Sequence, residues 1–344
     1  MNPEALYSDV MFERRRARIF ALLLFAVAGC GLDDDGPHGD GVLPRIDETR
    51  VTVSGVSSGG YMAGQLRVAH SASISGAAIL AGGPYGCAKN SLRRALDVCL
   101  TGGDFDIDGL THFAREEAAA GRIDTLNHLR NDRVWLFHGS ADQTAAPDAT
   151  WAAAEFYENF VRPASVEVVT EVAAAHGMPT LDQGVPCDES RDPFVNNCDY
   201  DAAGAALTWL IGARSGRRAA TEELRLFDQR PYRDAGLSDS GYIYVPAACE
   251  EALHCGLHIA LNGCRQSVEH VDEQFALMSG FNEWADAFGI VVLYPQVKAS
   301  REATTNPYGC WDWWGYSGDD YATKNGAQIS ALKGMIDTLA RGTP

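Results

Sequence analysis

The stretch Arg50-Val-Thr-Val-Ser-Gly-Val-Ser-Ser-Gly-Gly-Tyr61 constrains this chain more than any other. Val51, Thr52 and Val53 are β-branched and favour a strand. The chain then passes through a Gly-x-Ser-x-Gly box, Gly55-Val56-Ser57-Ser58-Gly59, into helix-compatible residues 61–70. A serine held between strand and helix in such a box predicts a nucleophile elbow. The turn is so tight that a side chain two residues before or after the serine clashes, and glycine avoids this. Ser57 has glycine at both places, whereas Ser58 has Val56 at −2. The register selects Ser57 as nucleophile and leaves Ser58 to offer its backbone N–H to a developing oxyanion. With 35 glycines in 344 residues, a glycine-rich surface turn is the competing reading. The rest of a triad decides between them.

Strand-like and helix-like segments alternate after the box. Strand 50–56 and helix 60–70 lead to strand 76–82, helix 108–120 and strand 133–138; helix 149–161, strand 165–171 and helix 201–213 follow. A second series has strands 241–245 and 257–261, helix 268–288, strand 290–294 and helix 323–341. Alternation of this kind predicts an α/β fold, a mostly parallel sheet covered by helices on both faces. In a hydrolase of this type the acid and the base follow the nucleophile, each on a loop after a strand. Strand 133–138 runs into His138-Gly139-Ser140-Ala141-Asp142, and strand 165–171 into Ala175-His176-Gly177. Asp142 and His176 are therefore the expected acid and base. Asp148 reads as a helix N-cap, His138 as a packing residue and His258 as a buried, hydrogen-bonded core residue. Asp104, Asp106 and Asp108 form an acidic loop that reads as solvated rather than as a calcium site.

The N-terminus reads as a targeting segment. Arg14, Arg15, Arg16 and Arg18 precede the apolar run 19–28, too short to span a bilayer as a mature helix. The run ends Val27-Ala28-Gly29-Cys30, which resembles the lipobox of bacterial lipoproteins. By that resemblance Cys30 becomes the lipidated first residue. Gly31 follows it, which does not suggest inner-membrane retention and leaves the outer membrane as the expected anchor. A plain secretory signal cleaved nearby is the alternative, and Met11 is a second candidate start. The expected organisation is a signal over 1–29, a solvated tether over 30–45 and one catalytic domain over 46–344. Removing residues 1–29 takes away four arginines and three acids, and the net charge moves from −18 to −19. A field of that sign repels nucleic acid and other anionic polymers, so a neutral substrate is expected. Eight cysteines besides Cys30 fit an oxidising compartment. Cys87–Cys99 and Cys187–Cys198 are natural short-loop pairs. Spacing leaves the last four open; we expect Cys249–Cys255 with Cys264–Cys310. None of the pairs has zinc-finger spacing, so no metal or cofactor is expected.

The second oxyanion donor is missing from its usual place, upstream of the nucleophile strand, because only a few ordered residues precede that strand. A glycine-containing loop of the right kind, Asn262-Gly263-Cys264, instead follows strand 257–261. The element order is that of an α/β-hydrolase circularly permuted to open just before the nucleophile strand. Seven stretches carry a family resemblance: Gly55-Val-Ser-Ser-Gly-Gly-Tyr-Met62, Ala81-Gly-Gly-Pro-Tyr85, His138-Gly-Ser-Ala-Asp142, His176-Gly-Met178, Leu257-His-Ile-Ala-Leu-Asn-Gly-Cys-Arg-Gln266, Tyr294-Pro-Gln296 and Asn306-Pro-Tyr-Gly-Cys-Trp-Asp-Trp-Trp-Gly315. Through them the chain resembles the circularly permuted extracellular short-chain polyhydroxyalkanoate (polyhydroxybutyrate) depolymerases. The resemblance implies Ser57, Asp142 and His176 as the triad, with the Ser58 and Cys264 N–H groups as the oxyanion hole. It departs at Asn262, where the family usually has His; a main-chain donor tolerates the change. The binding module that many relatives append is not expected here.

Trp311, Trp313 and Trp314 cannot all face one core. They are the candidate apolar platform for a neutral aliphatic polyester or its oligomers, beside the oxyanion loop, although burial of one or two is the simpler reading. The expectation is thus an exported, lipid-anchored, monomeric serine esterase. A feruloyl or acetyl carbohydrate esterase on the same framework is the rival, and a non-catalytic surface module is the alternative of another class.

Overall fold

The computed structural model describes residues 43–162, 164–214, 216–250, 255–300 and 306–342. The proposed signal, Cys30 and most of the tether lie outside the described residues. Apolar, β-branched runs form the central strands, and each is buried along its length, as a parallel strand covered on both faces must be. In chain order the main elements are β1 (Val51–Val56), α1 (Ser58–Ala69), β2 (Gly76–Leu80), α2 (Ile107–Ala119), β3 (Arg133–Phe137), α3 (Pro147–Glu158), β4 (Val166–Val169) and α4 (Ala202–Ile211). Then come β5 (Arg225–Asp228), β6 (Ser240–Tyr244), β7 (Gly256–Leu261), α5 (Asn282–Phe288), β8 (Ile290–Tyr294) and α6 (Ala327–Arg341). The eight strands lie in the order β4-β3-β2-β1-β7-β8-β6-β5. The six from β4 to β8 run parallel, and β6 and β5 pair antiparallel at one edge. The sequence therefore leaves β1 in the middle of the sheet, builds outward to β4 on one side, and then returns to β1 with β7.

Alternate residues feed two cores. Val51 and Val53 join Leu66 of α1, Phe156 of α3 and Leu332, Met335 and Ile336 of α6 on one face. Ala78, Leu80, Val292 and Tyr294 meet Leu207 of α4 and Phe288 of α5 on the other. The opening segment closes the far end of the sheet. Ile46 N–H donates to Leu339 O at 3.1 Å, Arg45 Nε to Ala340 O at 3.1 Å, and Asp47 N–H to Cys255 O at 2.8 Å.

Two expected elements differ. The helix over 268–288 is three short helices, Val268–Val271, Gln274–Met278 and α5. Asp272 (φ 51°) and Gly280 (φ 88°) take left-handed backbone at the two breaks, which a continuous helix cannot accommodate. The last helix begins at Ala327, after turns through Gly326. A small sheet of Met178–Thr180, Val185–Pro186 and Val195–Asn197 was not anticipated, because two- and three-residue strands carry no periodic signal.

All four expected disulfides are present: Cys87–Cys99, Cys187–Cys198, Cys249–Cys255 and Cys264–Cys310. They belong to a chain that matures in an oxidising compartment. The last closes a loop of 46 residues, which by the chain-entropy argument destabilises the unfolded chain by about 4 kcal/mol.

His258 of β7 is fully buried beside β1, as expected. Its Nδ1 lies 2.8 Å from Thr52 Oγ1 and its Nε2 2.8 Å from Ser54 Oγ, with the Phe281 ring 4.6 Å away. Burial pushes its pKa down to about 3. An unfolded histidine titrates near about 6.5. The unfolded chain therefore takes up a proton that the folded chain refuses, and this contribution to stability is full above about 6.5 and is lost as pH falls toward about 3. The thermal midpoint should fall between pH 6.5 and 4, and should fall less steeply in a folded His258→Gln variant, as scanning calorimetry at stepped pH will read.

Candidate active site

Ser57 is the residue between β1 and α1, and its backbone sits at φ 56°, ψ −118°. A non-glycine residue stays there only when its surroundings fix it. Its N–H donates to Leu80 O at 2.8 Å, and its carbonyl accepts from Tyr61 N–H at 3.1 Å. Packing fixes the rest. A methyl group on Gly55 would run into Gly59 O, and one on Gly59 would meet Asn262 O and, at 2.5 Å, Leu261 O. Glycine at −2 and +2 thus lets α1 start directly against the ends of β1 and β7. Ser58 is buried at the first turn of α1, and its Oγ accepts from Trp311 N–H at 3.3 Å.

Asp142 and His176 leave the C-terminal ends of β3 and β4, the same end of the sheet as Ser57. Their loops are stitched together: Ser140 N–H donates to Val172 O at 2.8 Å and Ala141 N–H to Ala174 O at 3.2 Å. His176 Nδ1 lies 2.7 Å from Asp142 Oδ2, with side chains 12% and 1% exposed. Asp142 Oδ1 accepts the N–H groups of Thr144 at 2.8 Å and Ala145 at 3.0 Å. Burial alone would raise the Asp142 carboxyl. The His176 hydrogen bond and charge and the two N–H donors outweigh it and hold the group below the usual carboxylate range. An ionised Asp142 keeps the proton on His176 Nδ1, which leaves Nε2 as a lone-pair acceptor. His138 packs under the loop with Thr150 Oγ1 3.4 Å from its Nδ1, and burial lowers its pKa. Ala146 caps α3, and Asp148 lies in its first turn rather than at the cap.

The loop after β7 comes up against the elbow. A methyl group on Gly263 would lie 3.2 Å from Val56 O and 3.4 Å from Ser57 Cβ. Cys264 follows, bonded to Cys310, so the disulfide joins this loop to the tryptophan segment.

The three tryptophans do not form one surface. Trp311 is 0% exposed and belongs to the main core, so it cannot contact a polymer; its place in the platform is corrected. Trp313 is 7% exposed and stacks on Tyr61 with centroids 4.7 Å apart. Trp314 alone is partly open, edge-on to Trp313 at 5.7 Å and against Tyr316 at 4.8 Å. The buried Asp312 carboxylate shapes this turn: its oxygens accept Gly315 N–H (2.7 Å), Tyr316 N–H (3.0 Å), Ser317 N–H (2.8 Å) and Ser317 Oγ–H (2.5 Å). Sequence gave no hint of Asp312, because an aspartate among tryptophans looks solvated. Among the described residues no three His, Cys, Asp or Glu side chains gather as a metal site would require.

Comparison with known proteins places the chain. A family model described as "Esterase PHB depolymerase" matches residues 237–340. The "Poly(3-hydroxybutyrate) depolymerase" of Delftia acidovorans is 38% identical over 92% of this chain, which spans 65% of that protein's length. The "Polyhydroxybutyrate depolymerase" of Talaromyces funiculosus is 34% identical over 87% of this chain and 91% of its own length. The chain belongs to the PHB depolymerase esterase family. The crystal structure of the PHB depolymerase from Penicillium funiculosum superimposes with a TM-score of 0.81 at 33% identity, covering 87% of this chain and 99% of that one. A serine-to-alanine form of a PHB depolymerase, solved in complex with an R3HB trimer, is similar to the same extent. The α/β fold expected from alternation is thus that of a solved PHB depolymerase.

Proposed function

We propose that this chain is a serine esterase that hydrolyses short-chain poly(3-hydroxyalkanoate), polyhydroxybutyrate or its oligomers. The observation that carries the reading is the Asp142–His176 hydrogen bond at the same sheet end as the strained Ser57. His176 Nε2 takes the Ser57 proton as Oγ attacks the ester carbonyl. The N–H groups of Ser58 and Cys264 stabilise the oxyanion. His176 then returns the proton to the departing alkoxide oxygen, which leaves a free hydroxyl on one fragment and an acyl-Ser57 on the other. Water, deprotonated by the same histidine, releases the acid. The related depolymerase that holds an R3HB trimer supports an oligomeric polyester as substrate. A net charge of −18 suits a neutral chain better than an anionic one.

The strand order supports reading the chain as a hydrolase opened before its nucleophile strand, because β1 starts mid-sheet and residues 45–46 hydrogen-bond to the end of α6. Residues 46–344 act as one catalytic domain, and the protein works as a monomer. We assign the export signal to residues 1–29 and the lipid anchor to Cys30, which holds the protein at the outer membrane through the tether. Mass spectrometry of the mature N-terminus should find a lipid on Cys30, and Cys30→Ser should move the protein from the membrane fraction to the soluble one.

Ser57→Ala should lower kcat by about 10⁴ or more with folding intact, whereas Ser58→Ala should keep substantial activity because its donor is backbone. Activity should appear on polyhydroxybutyrate and its oligomers. Release of ferulate from feruloylated sugar without any clearing of polyester would instead favour a carbohydrate esterase. A Ser57 that no fluorophosphonate labels would point to a non-catalytic module.

Trp314 is the remaining member of the platform that can grip polymer, and burying part of an aromatic ring is worth on the order of 1–3 kcal/mol. Trp314→Ala should weaken hydrolysis of solid polymer by about tenfold. A small soluble ester should be cleaved nearly as before, and equal loss on both substrates would assign Trp314 to the acyl pocket.

A further inference from the structure

The loop after β7 commits its amides unevenly. Gly263 N–H donates to Gln266 Oε1 at 2.8 Å, Gln266 N–H to Gly263 O at 3.2 Å, and Arg265 N–H to Tyr308 O at 2.7 Å. The Cys264 N–H between them has no acceptor among the described residues. Its own peptide plane is held from the other side. Gly263 O, the carbonyl of that peptide, accepts Asn262 Nδ2 at 2.8 Å in addition to Gln266 N–H. In a planar trans peptide the N–H points opposite to the C=O, so fixing Gly263 O fixes where Cys264 N–H points. Two donors on the carbonyl also polarise the amide and make its N–H a stronger donor.

Gln266 does more. It is 2% exposed, and its Nε2 donates to Pro193 O at 3.1 Å and Phe194 O at 2.9 Å. Phe194 O also accepts Met178 N–H at 2.8 Å, two residues beyond His176. One buried side chain is therefore bonded at one end to the oxyanion loop and at the other to the Pro193 and Phe194 carbonyls, the second of which also holds the strand that follows His176. Asn262 is 0% exposed, and its Oδ1 is buried without a partner among the described residues. A buried orphan oxygen is costly, and Asn262 keeps it while spending only its donor, on Gly263 O.

We infer that Asn262 and Gln266 are positioning residues: together they aim and polarise the Cys264 N–H, and Gln266 keeps it in register with His176. The inference rests on the esterase reading above. It predicts a defect confined to the transition state, because the aimed donor strengthens as charge develops on the carbonyl oxygen.

The test compares wild type with Asn262→Leu, Asn262→His and Gln266→Met on a soluble p-nitrophenyl ester, with active sites counted by burst titration. A trifluoromethyl ketone, whose hemiketal oxygen occupies the oxyanion position, probes the hole separately. Per titrated site, Asn262→Leu and Gln266→Met should lose about tenfold to a hundredfold in kcat. KM should stay within about twofold, and the ketone Ki should rise by the same factor as kcat falls. Asn262→His, which retains a ring N–H donor, should recover most of the loss. A residue that merely stabilises the fold would reduce the number of titrated sites and leave kcat per site and Ki alone. That result, or a fall in kcat with Ki unchanged, would overturn the inference. If Gln266→Met does not fold, the two Asn262 variants decide it. Wild type that forms no ketone adduct would overturn the esterase reading and this inference together, whereas an adduct equally tight in wild type and variants would overturn this inference alone.

Discussion

The contact on which the site depends is the one between the first turn of α1 and the ends of β1 and β7. Gly59 sits where any side chain would strike the carbonyls of Leu261 and Asn262. That approach is possible only because β1 and β7 are neighbours in register, with Gly55 opposite Leu261. The same pairing brings Gly263, and with it the Cys264 loop, against Val56 and Ser57. Ser57, α1 and the Cys264 loop are thus one packing event rather than three separate placements. Losing the Gly59 contact would disturb all of them together.

Cross-links and buried polar groups then fix the parts that packing leaves loose. Cys264–Cys310 ties the loop after β7 to the tryptophan turn, and Cys187–Cys198 braces the chain beyond His176. The Asp312 carboxylate holds Gly315, Tyr316 and Ser317 around it, and Gln65 of α1 reaches the Asp312 carbonyl at 2.9 Å. Beneath the turn at Ser57, His258 takes Thr52 and Ser54 of β1 as partners. A hydrogen-bonded trio in a dry sheet resists any shift in register, because each partner would be left unsatisfied.

Much of this was legible in the sequence. The elbow announced itself because its physical requirement, glycine at fixed offsets between strand and helix, is local. That Asp142 and His176 would lie on loops at one end of the sheet could be read because each follows a strand apolar enough to see, and the structure brings the two side chains within hydrogen-bond distance. The single helix expected over 268–288 failed because its apolar spacing is helical throughout, while Asp272 and Gly280 break the backbone without a proline to warn of it. The tryptophan platform was overdrawn because composition does not tell which ring fills the core; Trp311 does. Gln266 was invisible as a buried brace, since glutamine is mostly found at surfaces and its partners lie some 70 positions away along the chain.

The direction of the strands has a further consequence. Residues 45–47 bond to the close of α6 and the start of β7, at the sheet end where the parallel strands begin. Ser57, Asp142 and His176 lie where those strands finish. A six-residue strand such as β1 spans roughly 20 Å. The hydrogen bonds that pin residues 45–47 therefore sit at the pole opposite Ser57, so a change there loosens the closure of the sheet without touching the residues around the serine.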